Sequence, residues 1–137
     1  MFPLKSEKSI STTLGIIQSL VALSAIPAGI LMIIQPDGSK LGIPLELLDA
    51  SPFSDFFIPG LFLFLVNGLA QGFAGISTFM RYKFYRTLGF ILGIVLVLWI
   101  IIQVYFVNPI HFLQVIYFIL GIAEVVLSLF LLNSKKI

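Results

Sequence analysis

IHFLQVIYFILGIAEVVLSLFLL, residues Ile110 to Leu132, is long enough to cross a hydrocarbon layer of about 30 Å as one helix. Within it Gln114, Tyr117, Gly121, Glu124 and Ser128 recur at steps of three and four and so share one face. The other faces are Ile, Val, Leu and Phe, which suit lipid. A polar stripe on a spanning helix normally faces protein, so this face marks the inside of a bundle.

Three further apolar runs lie upstream, and with the last they give expected spans at about Ile10–Ile34, Phe56–Met80, Thr87–Val107 and Ile110–Leu132. Of the 137 residues, 59% are hydrophobic and 10% charged, with a mean hydropathy of +1.13. So few polar groups cannot cover a soluble domain of this length. The expected fold is an all-α membrane protein, one four-transmembrane-helix bundle with a short interfacial segment between the first and second helices.

The basic start at Lys5 and Lys8 before an apolar run resembles a signal peptide, with Ala22-Leu23-Ser24 as a cleavage-like site. The run continues well past that site, so it is read as a retained span. Pro27 removes one backbone hydrogen bond inside it and favours a bend. Gln35-Pro36-Asp37-Gly38 reads as a turn, Pro44 to Asp49 as a short helical piece lying in the outer interface, and Ser51-Pro52 as a cap and first residue of the next helix. Arg81 to Arg86 and Asn108-Pro109 are tight links that make the last three spans antiparallel neighbours.

Lys5, Lys8, Arg81, Lys83, Arg86, Lys135 and Lys136 fall on one side of this arrangement and only Lys40 on the other. The positive-inside rule then predicts an inner (plasma) membrane protein with both termini cytoplasmic. It also accounts for the net charge of +2 and leaves no excess basic patch for nucleic acid.

In LGIPLELL (Leu41–Leu48) with SPFSDFFIPG (Ser51–Gly60), Trp99-Ile100-Ile101-Ile102-Gln103 and Leu113-Gln114-Val115-Ile116-Tyr117, the chain resembles a group of small bacterial four-span membrane proteins with no assigned activity. The resemblance covers most of the chain. It implies the four-span fold and a bacterial origin, and nothing about chemistry.

Polar residues inside the spans carry the functional question. Glu124 lies roughly 12 Å along its helix from Leu132, close to mid-membrane. A charge at that depth costs at least ~2.5 kcal/mol, so the carboxyl is expected to be neutral or well partnered. Gln71 lies at a matching depth on the second span, with Asn67 one turn away on the same face, and Glu124 is expected to hydrogen-bond to one or both. As a neutral glue between helices such a bond is worth about 1 kcal/mol; as a proton- or ligand-binding carboxyl it would carry function. Gly68 with Gly72, Gly89 with Gly93, and Ala25 with Gly29 are small pairs that allow close helix contact within a chain or between chains. Trp99, Gln103, Gln114, Tyr117 and His111 fall in the outer half and are expected to line an outward cavity lidded by the Pro-rich segment. The plainer reading is an aromatic belt with amides paired across helices.

Chemistry beyond this is sparse. With no cysteine and one His there is no thiolate chemistry and no imidazole cluster, and His111 stands roughly 20 Å along the helix from Glu124, too far to share a metal. The carboxylates Asp37, Glu46, Asp49 and Asp55 match no calcium loop. No nucleophile–base set or phosphate loop is present, so no catalytic residue, metal or cofactor is assigned. Ala123-Glu124-Val125 is similar to the fourth span of four-span rotary ATPase proteolipids, but the chain lacks their glycine-dense first and third spans. The leading expectation is a bundle that binds a hydrophobic small molecule or lipid, or that serves as an accessory structural protein with a membrane partner or as a homo-oligomer. The alternative is an oligomeric channel or proton-handling transport subunit using Glu124.

Overall fold

The first helix starts earlier than its apolar run, because its polar lead is itself helical. In the computed structural model, which describes residues 5–106 and 112–135, α1 spans Lys5–Ile34 rather than starting at Ile10. Glu7 sits in the first turn, where the helix dipole favours an anion, and Thr13 Oγ1 donates back to the Ser9 carbonyl at 2.9 Å. The helix runs through Pro27 without ending.

Three more helices follow: α2 over Phe57–Met80, α3 over Tyr85–Phe106 and α4 over Phe112–Lys135. Each of the four is long and apolar enough to cross a membrane. The chain is an all-α four-helix bundle. The expected Asn108-Pro109 turn and His111 lie outside the described residues. Neighbours are antiparallel: Ser11 meets Arg81 near one end of α1 and α2, while Gly29 meets Phe64 near the other. Gly93 against Glu124 and Gln103 against Gln114 show the same for α3 and α4. The bundle therefore has a basic end, with Lys8, Arg81, Lys83 and Arg86, and a second end capped by residues 35–56.

The small residues are used within the chain. At Gly29 a Cβ would stand 2.7 Å from the Phe64 backbone nitrogen, so α1 and α2 touch backbone to backbone. At Gly93 it would stand 2.9 Å from Glu124 Cβ, which is how α3 admits that side chain.

Outside faces carry exposed Leu23, Phe73, Tyr105 and Phe112, whereas Ser11, Gln18, Asn67, Gln71, Ser77, Thr78, Glu124 and Ser128 are buried beside Leu14, Val21, Leu96 and Leu131. This distribution suits a lipid surround, where apolar side chains gain nothing by turning inward.

Two features depart from the expected local structure. Ser51-Pro52 does not open a helix: Ser51 Oγ accepts from Phe53 N at 3.2 Å in a local turn, and α2 starts at Phe57, whose N–H is taken by Asp55 Oδ1 at 2.9 Å. The Asp55 carboxylate thus makes a local turn onto the first helical N–H, while the N-cap position itself is Phe56, which has no capping side chain. Second, α2 is not uniform, since Leu63–Ala70 is a π-helical stretch carrying Asn67 and Gly68.

The capping segment is held by its own backbone. Asp37 Oδ1 accepts from Ser39 N at 2.9 Å, and this donation holds the exposed Asp37 carboxyl below the usual carboxylate range. Gly38 turns at φ 81°, Ile43 N donates to Gly38 O at 3.0 Å, and a 3-10 turn over Leu45–Leu48 follows. Phe56 N donates to Pro36 O at 2.8 Å, tying the segment's end to its start. Leu48 and Phe56 are buried by this fold-back.

Candidate functional site

The stripe of α4 does face the interior: Gly121, Glu124 and Ser128 are buried and Gln114 and Tyr117 half-buried. Opposite them, α1 contributes Ser11, Gln18, Ala22, Ala25 and Gly29, again at helical steps. Polar side chains are thus stacked along the bundle axis in successive layers.

At the basic end Arg81 Nη2 donates to Ser11 Oγ at 3.1 Å, and the Arg86 guanidinium lies 4.8 Å from the Tyr85 ring centre. Arg81 itself closes α2 in the left-handed conformation, φ 53°, with Tyr82 N donating to Ser77 O at 3.0 Å. One layer in, Thr78 Oγ1 lies 2.7 Å from Gln18 Oε1 and 2.8 Å from the Ala74 carbonyl. Gln18 Nε2 and Ser128 Oγ, buried in the same layer beside Gly89, have no protein partner.

The middle layer joins α2 to α4. Gln71 Nε2 stands 3.1 Å from both Glu124 Oε1 and Glu124 Oε2, and both side chains are fully buried. The expected pairing of Glu124 is therefore with Gln71. Asn67 does not join it: its Nδ2 and Oδ1 are buried and unpartnered, as is Gln71 Oε1. The physical reason is that Asn67 lies a helical turn further along α2, at the edge of a void and away from the carboxyl.

That void is a cavity of about 680 Å³ at the capped end. Its floor holds Asn67, Leu96 and Ile100; its sides hold Ser24, Ala28, Leu63, Trp99, Gln103, Gln114 and Tyr117. Leu41, Ile43, Leu47, Phe53 and Phe56 of the capping segment close it, so the lid expected from the sequence is an apolar wall. Gln114 Nε2 donates to Gln103 Oε1 at 3.1 Å, and the Ser24 and Tyr117 hydroxyls share a hydrogen bond between α1 and α4. Trp99 is stacked on Phe62 at 4.4 Å, while its Nε1–H is buried and unpartnered. None of the described lining residues is charged.

The volume falls in the range of small-molecule sites, and an apolar wall with a few polar groups is their usual lining. Glu124 and Gln71 do not line the cavity, whereas Asn67, one helical turn from Gln71, does. Among the described residues no three His, Cys, Asp or Glu side chains stand together as a metal site would require.

Gln18 and Ser24 were not singled out by sequence reasoning. The signal for Gln18 was present, since Ser11, Gln18 and Ala25 recur at sevens along α1 and mark one inward face, whereas Ser24 lies one residue off that face and carries no such signal. Comparison with family models, curated proteins and solved structures gives no match to this chain.

Proposed function

We propose that this protein is a multi-pass component of a bacterial inner membrane, both termini cytoplasmic, whose outward cavity holds a hydrophobic small molecule or lipid. The observation that carries the reading is the cavity itself, about 680 Å³, walled by all four helices and the capping segment. A bundle serving only as packing would gain by filling such a space, because each void removes dispersion contacts from its lining. The orientation rests on the basic end, where Lys8 and the connection Arg81–Arg86 stand, and on the excess of basic residues that the sequence assigns to that side.

The second reading, proton handling through Glu124 in an oligomer, is favoured by one observation. Unpartnered polar atoms of Gln18, Ser128, Gln71 and Asn67 occur in successive layers on either side of the carboxyl. Water joining them would give a polar path along the axis.

Native mass spectrometry of gently purified protein tests both, with Ala28→Phe to fill the cavity and Glu124→Gln to neutralise the carboxyl. Ligand binding predicts an adduct of defined mass on wild type and Glu124→Gln, lost from Ala28→Phe at unchanged oligomer size. An adduct lost only from Glu124→Gln would move the site to the carboxyl layer. Apo masses throughout would remove the ligand reading.

A further inference from the structure

Towards the capped end the four helices sort into two pairs. α1 and α2 touch there at backbone distance: a Cβ at Gly60 would stand 2.6 Å from Met32 Cβ, and one at Gly29 2.7 Å from Phe64 Cβ. α3 and α4 are held as closely, since a Cβ at Gly121 would stand 2.9 Å from Val97 Cγ2 and Gln114 donates to Gln103 at 3.1 Å. Between the pairs the approach is uneven. α2 lies close to α3 along Gln71–Met80, less so along Leu63–Ala70, and scarcely along Phe57–Phe62, which packs on α1 instead. The π-helical stretch falls where α2 leaves α3, and such a change of register is a recognised cause of helix bending. The cavity has Pro59 and Leu63 on one bank of this widening seam, and Trp99, Ile102 and Phe106 on the other.

An aromatic stack stands across the seam. Phe62 and Trp99 lie 4.4 Å apart between ring centres, 25° from parallel. Trp99 lines the cavity and half-buried Phe62 does not, so the pair acts as a partition between the cavity and the outside. Among the described residues no hydrogen bond joins residues 57–70 to α3. The seam on the opposite side, between α1 and α4, carries the Ser24–Tyr117 hydroxyl bond. Parting those hydroxyls would leave them unpaired in hydrocarbon, whereas parted rings only exchange each other for acyl chains that are equally apolar.

The roof is a poorer door. It turns Leu41, Ile43, Leu47, Phe53 and Phe56 to the cavity, while Asp37, Glu46 and Asp49 in the same segment are exposed. Its end is tied to its start by Phe56 N and Pro36 O at 2.8 Å, and its Ser51 hydroxyl is committed to Leu48 O at 2.8 Å. Resting on the ligand-binding reading above, we infer that the ligand is a hydrophobe dissolved in the bilayer, which enters sideways between α2 and α3 by parting the Phe62–Trp99 stack. A molecule that partitions into lipid reaches this seam without crossing water. One confined to water meets the acidic outer side of a tied roof.

The test follows exchange of a bound hydrophobe. Protein in micelles is loaded with perdeuterated octadecanol and chased with excess unlabelled octadecanol, while native mass spectrometry reads the remaining heavy adduct. Phe62→Ala loses the stack and should exchange about two- to tenfold faster than wild type. The chain has no cysteine, so Phe62→Cys with Trp99→Cys gives one defined pair at the seam, which a short bis-methanethiosulfonate joins. Joined before loading, the seam should exclude octadecanol; joined afterwards, it should trap the heavy adduct. Reductant should restore exchange in both cases to that of the same variant left unjoined.

Exchange that the bridge does not slow overturns the inference, as does a Phe62→Ala rate equal to wild type. Faster exchange in Gly38→Ala, whose roof is loosened, than in Phe62→Ala overturns it too and places entry at the roof. These results keep the cavity as a binding site. If octadecanol forms no adduct on wild type, the ligand-binding reading itself falls.

Discussion

Replacing Glu124 and Gln71 by Leu, singly and together, measures what the middle layer contributes. In the wild type one amide nitrogen serves both carboxyl oxygens at 3.1 Å, and Gln71 Oε1 already has no partner. Glu124→Leu strands the whole Gln71 amide, and Gln71→Leu strands the carboxyl. Interhelical hydrogen bonds within membranes average about 0.6 kcal/mol and reach about 1.7, while an orphaned buried polar group costs about 1–3 kcal/mol. Each single change should therefore destabilise by about 1–3 kcal/mol. The double change leaves nothing stranded and keeps side-chain volume, so it should return to within about 1 kcal/mol of wild type. The sum of the two single losses less that of the double change then gives a coupling of about 1–6 kcal/mol. Glu124→Gln, which still accepts from Gln71, should lie within about 1 kcal/mol of wild type. Reversible unfolding in mixed micelles with rising dodecyl sulfate supplies the free energies. A double variant as unstable as the two singles summed would refute the pairing, and show that each side chain is held by something other than its partner.

Asn67→Leu should raise the stability of the ligand-free protein by about 1–2 kcal/mol in the same assay, since it removes two unpaired atoms from an apolar place. Gly38→Ala should disorder the capping segment, because φ is 81° and a Cβ would lie 2.3 Å from Ile43 O; faster backbone hydrogen exchange over residues 35–56 is the readout. Arg81→Gly should be more stable than Arg81→Ala by about 1 kcal/mol, as both lose the Ser11 contact and only glycine is at ease at φ 53°. The lowered pKa of Asp37 gives its turn a contribution that is complete above the ordinary value of 3.8 and is lost as pH falls through the lower folded value. Protection of the Ser39 amide should accordingly be flat from neutral pH down to about pH 4, fall below it, and lose that dependence in Asp37→Asn.

The fold was legible because lipid makes the pattern simple: four long apolar runs, each with its few polar residues on one side. The stripe through Gln114, Glu124 and Ser128 pointed inward as its spacing required, and Gln71 met Glu124 because their depths match across antiparallel helices. What depended on competition between neighbours was not legible. Ser51-Pro52 carried the residue types of a helix start, but the tie from Phe56 to Pro36 folds residues 51–56 back over the bundle end and the helix begins only at Phe57. The π-helical stretch at Leu63–Ala70 leaves no mark in hydropathy, since an extra residue in a turn changes the register and not the composition. The cavity was anticipated from Trp99, Gln103, Gln114 and Tyr117. That Asn67 belongs to its floor and not to the carboxyl layer was hidden, because one helical turn separates two surroundings that residue types alone do not distinguish.

The Gln71–Glu124 contact also orders events during synthesis. Its amide lies in the second helix to be made and its carboxyl in the last, 53 positions later. While α3 is being made, α2 lacks the acceptor for Gln71 and is joined to α1 by close glycine contacts and by the Thr78–Gln18 and Arg81–Ser11 bonds. Arrival of α4 brings a side chain that is itself unwelcome in hydrocarbon, and each removes the other's penalty. A chain broken off before Glu124 would keep an unpaired amide on α2, a flaw that only the last helix removes.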